Sequence, residues 1–224
     1  AVTEVNQMLS VVHVKCEEGQ MRLTGLDGHR IAIRALEVQT EEMELNLPGI
    51  PLKEIAKLLN NEEQKVDLCV TEHLACFLMP DVWASMRLVD GKYFDISAFL
   101  QDKTNRNIRI DKTQLKDSVS RALLLLADKV QKPLVVQVAE NKVTLEAATT
   151  AGEMSESINA VTEGESEPLR IGYNPRYLME ILQAIEDETI DLSLGGAKDP
   201  CLIKGMDYLY VLLPVSLGKT EAAL

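Results

Sequence analysis

Asp27, His29 and Arg30 fall close together in the string LDGHRIAIR, residues 26–34, and by type they are the side chains best suited to move a proton. A catalytic Asp-His pair needs a nucleophile or a polarised water within reach. No Ser or Cys sits at a recognisable nucleophile elbow, and the only other histidines are His13 and His73. The same string also reads as a plain turn between two strands, with Gly28 supplying a positive φ. Nucleotide hydrolysis and metal chemistry have no handle, because G-x-x-x-x-G-K-[ST], H-E-x-x-H and an acidic metal loop are all missing from the sequence. Cys16, Cys69, Cys76 and Cys201 show no CxxC spacing and no histidine at zinc-ligand distance, so they read as reduced, buried thiols. The expectation is no catalytic residue, no metal and no cofactor.

Charge offers a different chemistry. The net charge is −12, which opposes nucleic-acid binding unless basic residues are gathered locally. They recur on predicted helices: Lys53 and Lys57 at i, i+4 on one, Lys112, Lys116 and Arg121 on or beside a second, and Arg176 at the start of a third. Residues 152–167 hold five glutamates and no basic residue. A basic helical face on an acidic exterior suits a protein that surrounds DNA. Solvated helices laced with salt bridges would show the same spacing.

The elements that carry these residues repeat. PLKEIAKLLNNEEQKVDLCV, from residue 51, aligns without a gap on PRYLMEILQAIEDETIDLSL, from residue 175, an offset of 124. VKCEEGQMRL and VQVAENKVTL alternate apolar residues around turns at Gly19 and Asn141, an offset of 122. Two matches in the same order at nearly one offset indicate a duplicated domain. Each copy reads as a hairpin, a further strand, a helix opened by proline and another hairpin. In the second copy Leu178, Ile181, Leu182 and Ile185 mark one helical face from Pro175 to Ile185. The second hairpins are VDLCV with LACFLM and IDLSL with CLIKG.

The second copy has an earlier helix, Gln114–Lys129, whose counterpart in the first copy would begin before residue 1, so the first copy is expected to lack its first strand and helix. On that helix Leu115, Val119, Ala122, Leu123 and Leu126 form the core face, leaving Leu124 and Leu125 for a subunit contact or for cover within the domain. The polar stretch QDKTNRN, residues 101–107, is the expected boundary, giving domains 1–105 and 106–224. With 46% hydrophobic and 26% charged residues, two cores of ordinary size are within reach of the 224-residue chain. No apolar run is long enough to cross a bilayer and no signal-peptide pattern opens the sequence, which reads as cytoplasmic.

Several segments together resemble the bacterial DNA polymerase III beta subunit, the beta sliding clamp. LDGHRIAIR resembles that family's T-D-[GS]-H-R-L turn, MRLVDGKYFDI its R-L-[IV]-[DE]-G-x-[FY]-P-[DN]-Y segment, IGYNPRYLMEIL its G-[FY]-N-x-x-Y-L segment, and YVLLPVSL its terminal strand. The resemblance implies an α+β fold of two tandem clamp-type domains, sheets outside and helices on the inner face, corresponding to the middle and last of three. It implies a non-catalytic accessory subunit that encircles duplex DNA without sequence preference, as a homodimer ring, and gives the polymerase its processivity. It also implies a pocket for short linear motifs of the polymerase alpha subunit, the clamp loader and repair proteins. Positions matching the pocket are Leu9, Leu26, Gly28, His29, Arg30, Ile31, Phe94 and Phe99, then Asn174, Tyr177, Pro200, Val211, Leu213, Pro214 and Val215. Lys53, Lys57, Lys112, Lys116, Arg121 and Arg176 would face DNA, and Leu124 and Leu125 would meet the neighbouring subunit.

The sequence departs from the family at Leu26, where threonine is usual, at Phe94, where proline is usual, and at Ser216, where a basic residue is usual. It also continues past Leu217 as GKTEAAL. A peptide-binding scaffold without DNA, and third a small hydrolase using Asp27 and His29, are the competing readings.

Overall fold

The computed structural model describes residues 7–59, 65–101, 103–126 and 132–217. Contacts divide the chain into two units, Ala1–Ile96 and Ser97–Leu224. The division falls ahead of the expected 105/106 boundary because the polar stretch is already bonded into the second unit. Asn105 donates its backbone N–H to Leu194 and accepts from Glu165, and Arg106 opens a strand.

Unit one opens with strands β1 (Val11–Glu17), β2 (Gln20–Leu26), β3 (Arg30–Glu37) and β4 (Met43–Pro48), hydrogen-bonded in the order β3-β2-β1-β4. Helix α1 (Gly49–Ala56) follows, then β5 (Asp67–Val70), β6 (Leu74–Leu78) and β7 (Trp83–Arg87) as a separate three-stranded sheet. Pro51 lies in the first turn of this helix, as the repeat predicts, and the helix begins two positions before it, where the Gly49 N–H is held by the Ser10 carbonyl at 2.9 Å. Val14, Cys16, Leu45, Leu47, Ala75 and Met86 form the main core, and α1 contributes no buried residue.

Unit two contains the short helix α2 (Ser97–Leu100), β8 (Arg106–Asp111), α3 (Lys112–Leu126), β9 (Leu134–Ala139), β10 (Lys142–Thr149), β11 (Gly152–Gly164), β12 (Leu169–Tyr173), α4 (Pro175–Ala184), β13 (Thr189–Leu194), β14 (Cys201–Lys204) and β15 (Tyr208–Leu212). Its strands run antiparallel in the order β12-β9-β10-β11-β8-β13-β14-β15. Helices α3 and α4 touch each other and the sheet, burying Leu115, Val119, Ala122 and Leu126 from one and Leu178, Met179, Ile181 and Leu182 from the other. Ser118 is buried where Leu123 was expected, and Leu123 is only partly covered. Residues 127–129 of the expected α3 lie outside the described residues, as does the GKTEAAL tail.

The duplication is visible in both units. The β1–β2 turn has positive φ at Glu18 and Gly19, +51° and +76°, and the β9–β10 turn has it at Glu140 and Asn141, +23° and +58°. Each is a two-residue hairpin turn of the type whose twist matches its strands. From there β1–β7 with α1 corresponds to β9–β15 with α4, which makes the fold α+β with two tandem copies of one plan. In unit two, β8 joins β11 to β13. Among the described residues of unit one, no strand joins the equivalent β3 and β5, and β8 and α3 have no counterpart beyond helical Gln7 and Met8. No described helix is long and apolar enough to cross a membrane.

Candidate functional site

The turn between β2 and β3 is built by Asp27. One carboxylate oxygen accepts the backbone N–H of His29 at 3.1 Å and of Arg30 at 3.2 Å, the other accepts Arg30 Nε at 2.8 Å, and Gly28 takes φ +86°. Both oxygens are thus spent on the turn and its arginine, an arrangement that positions a loop rather than a base. Leu26 before the turn is half-buried, Ile31 after it is buried, and His29 between them is exposed.

Beneath Leu26 lies a cluster of Met8, Val11 and Tyr93, against which Leu26, Val89 and Phe94 pack, with half-buried Leu9 beside Met8 in the chain. The segment carrying Tyr93 is moored by polar contacts that sequence reasoning missed. Asn46 donates its amide to the carbonyls of Val89 at 3.2 Å and Gly91 at 2.9 Å. Its oxygen therefore faces His13 Nδ1, 3.0 Å away, and that nitrogen carries the proton. His13 stacks on Tyr93, whose hydroxyl donates to the Thr24 carbonyl, and Phe94 meets the Tyr93 ring edge-on at 5.5 Å. Burial pushes the Tyr93 phenol up to about 12. A polar His13 between Val12 and Val14, and Asn46 between Leu45 and Leu47, were the available signals.

In unit two, Asn174 caps α4, its side-chain oxygen accepting the Arg176 N–H at 3.0 Å, with Pro175 at the first helical position. Tyr177, one turn in, packs half-buried against the core. After β15 the chain passes over Gly172, where the Val215 N–H donates to the Gly172 carbonyl at 2.8 Å. A Cβ on Gly172 would lie 2.8 Å from the Val215 carbonyl oxygen and 2.7 Å from Leu217 Cδ2, so the glycine is required for this close approach. Cys201 pairs with Leu212, which sets Pro200 opposite Leu213 one step along the register. Asn174, Tyr177, Pro200, Leu213, Pro214 and Val215 are all half-buried, while Val211 is fully buried and presents no surface. Phe99 on α2 is 41% exposed.

The six basic candidates divide. Lys112 Nζ bonds the carbonyls of Ile185 and Glu186 beyond the end of α4, Lys57 pairs with Glu54 at 2.6 Å, and Arg121 makes two 2.6 Å bonds to Glu156 on β11. The Arg121 hydrogen bond holds the Glu156 carboxyl below the usual range. Lys53, Lys116 and Arg176 form no ion pair among the described residues. Of the two leucines expected at a subunit contact, Leu124 is 81% exposed, whereas Leu125 packs against the unit-two core.

Residues 99–215 match the family model described as DNA polymerase III beta subunit, C-terminal domain, and residues 1–95 match its central domain. The beta sliding clamp of Bacillus subtilis is 27% identical over 209 residues, covering 91% of this chain and 55% of that protein. That of Halalkalibacterium halodurans is 27% identical over 223 residues, covering 95% and 58%. A crystal structure of the Bacillus subtilis DNA polymerase sliding clamp superposes with a TM-score of 0.91 at 25% identity, over 97% of this chain and 59% of that one. The chain thus spans less than two thirds of the length of these relatives.

Proposed function

The chain belongs to the DNA polymerase III beta subunit family, its two units being the central and C-terminal domains, and on that premise we propose that it serves as part of a cytoplasmic sliding clamp that confers processivity on a replicative polymerase. In this reading DNA is held by encirclement and by weak, sequence-blind phosphate contacts, with no bond made or broken. Partners dock through short linear motifs.

The observation that carries the reading is the crossing of the terminal segment over Gly172. It brings half-buried Leu213, Pro214 and Val215 beside the end of β12, from which Asn174 and Tyr177 lead into α4. Apolar side chains with a few fixed polar groups suit an extended peptide that buries leucine and aromatic anchors. Within unit one, Leu9, Leu26, Gly28, His29, Arg30, Ile31 and Phe94 are assigned to peptide contacts of their own, Leu26 and Phe94 through their support by Tyr93, and within unit two Phe99 is assigned the same role. Lys53, Lys116 and Arg176 provide the phosphate contacts.

Leu124 anchors the contact with a second copy. Its helix also carries Arg121, which pairs with Glu156 of β11, and Gly152–Asn159 of that strand pair with β10 alone among the described residues. Titrating a labelled peptide of the Q-L-x-L-F type with the chain tests the proposal. Saturable micromolar binding supports it, and no binding at millimolar concentration contradicts it.

A further inference from the structure

Cys69 and Cys76 stand directly opposite each other across the β5–β6 hairpin. Their neighbours Leu68, Ala75 and Phe77 turn into the unit-one core. The two-residue period of a strand therefore puts both thiols on the other, solvent side, where Cys69 is exposed and Cys76 half-covered. Both are free, while Cys16 and Cys201 are buried in other strands.

The ladder fixes the separation. The Thr71 N–H donates to the Leu74 carbonyl at 2.8 Å, and hydrogen-bonded pairs alternate along an antiparallel ladder. Cys69 and Cys76 are then a hydrogen-bonded pair, with Cα atoms about 5.5 Å apart. That span lies inside the range of about 4.4–6.8 Å that a disulfide bridges. Side chains in such pairs stand further apart than in the alternate kind. Closure must draw the hairpin together, which gives an exposed, exchangeable bond rather than a permanent staple.

We propose that Cys69 and Cys76 are a redox-modification site that closes to a reversible cross-strand disulfide. The Cys69 thiolate, the more accessible, attacks one sulfur of a small-molecule disulfide of the glutathione type, bonding to it and expelling one thiolate. The Cys76 thiolate then attacks the Cys69 sulfur, forming the Cys69–Cys76 bond and expelling the second thiolate. The two protein thiols give up two electrons and two protons, and the small disulfide leaves as two thiols. The bond ties β5, whose described partner is β6 alone, into its sheet.

Incubation with oxidised glutathione, alkylation under denaturing conditions and peptide mass analysis read the outcome. A Cys69–Cys76 cross-link that resists alkylation and is lost with dithiothreitol is expected, as is a stable glutathione adduct on Cys69 in Cys76→Ser. Alkylation of both thiols in the unsubstituted chain, a lasting adduct on Cys69 with Cys76 still free, or a cross-link between two chains would each overturn the proposal.

Discussion

The imidazole of His13 lies flat on the ring of Tyr93, with centroids 4.5 Å apart and planes 3° from parallel. Because Nδ1 also donates to Asn46, one side chain links β1, β4 and the segment that carries Phe94. His13→Ala loses both the stack and the bond, which together contribute about 1–3 kcal/mol. Urea unfolding of unit one should shift accordingly, and His13→Phe, which keeps the stack, should shift less. Equal midpoints for all three proteins would show that the knot supports nothing.

Gly172 accepts no side chain while the terminal segment crosses it. Gly172→Ala should cost about 1–3 kcal/mol through overpacking and expose the chain after Leu212 to proteolysis. Cleavage at the wild-type rate would show that the crossing is looser than the geometry requires.

Arg121 and Glu156 give unit two an acid limb. The folded pKa of Glu156 is lowered, mainly by the Arg121 hydrogen bond. Its contribution is therefore complete above the ordinary glutamate value of 4.5 and is lost as pH falls through the lower folded value. The pair is largely solvent-screened, so the contribution is small. Glu156→Gln should lower the unfolding midpoint at pH 7 and narrow its gap to the wild type at pH 3. A gap that does not change with pH would assign the effect to packing.

Low-salt DNA binding should distinguish the free cations from the engaged ones. Lys116→Ala or Arg176→Ala should weaken binding for every duplex sequence and reduce the salt dependence by about one phosphate contact each. Lys112→Ala, whose ammonium is held by two carbonyls, should change it less. An equal loss in all three variants would contradict that division.

The duplication was legible because local chemistry dictates it. Gly19 and Asn141 tolerate the left-handed turn at the same offset in both copies, and the α4 face follows from the spacing of Leu178, Ile181 and Leu182. What pairs with what over long separations was not legible. His13 and Asn46 lie 33 residues apart, and Arg121 meets Glu156 from another element 35 residues on. Spacing on α3 marked Arg121 as available for phosphate without showing its partner. Likewise Leu125 looked as exposed as Leu124 until β11 and the core covered it, and Val211 matched a pocket position but is enclosed by its sheet. The redox pair was hidden for the same reason, since Cys69 and Cys76 face each other only once the hairpin register is set.

Binding of a labelled Q-L-x-L-F-type peptide to the wild type, Leu213→Ala, Phe99→Ala and Leu124→Ala is the most direct measurement. Saturable micromolar binding is expected in the wild type, weakened about tenfold or more in Leu213→Ala and Phe99→Ala, as loss of an anchor contact of about 1.4 kcal/mol requires. Leu124→Ala should bind like the wild type. The same affinity in all four proteins would contradict the assignment of the peptide site.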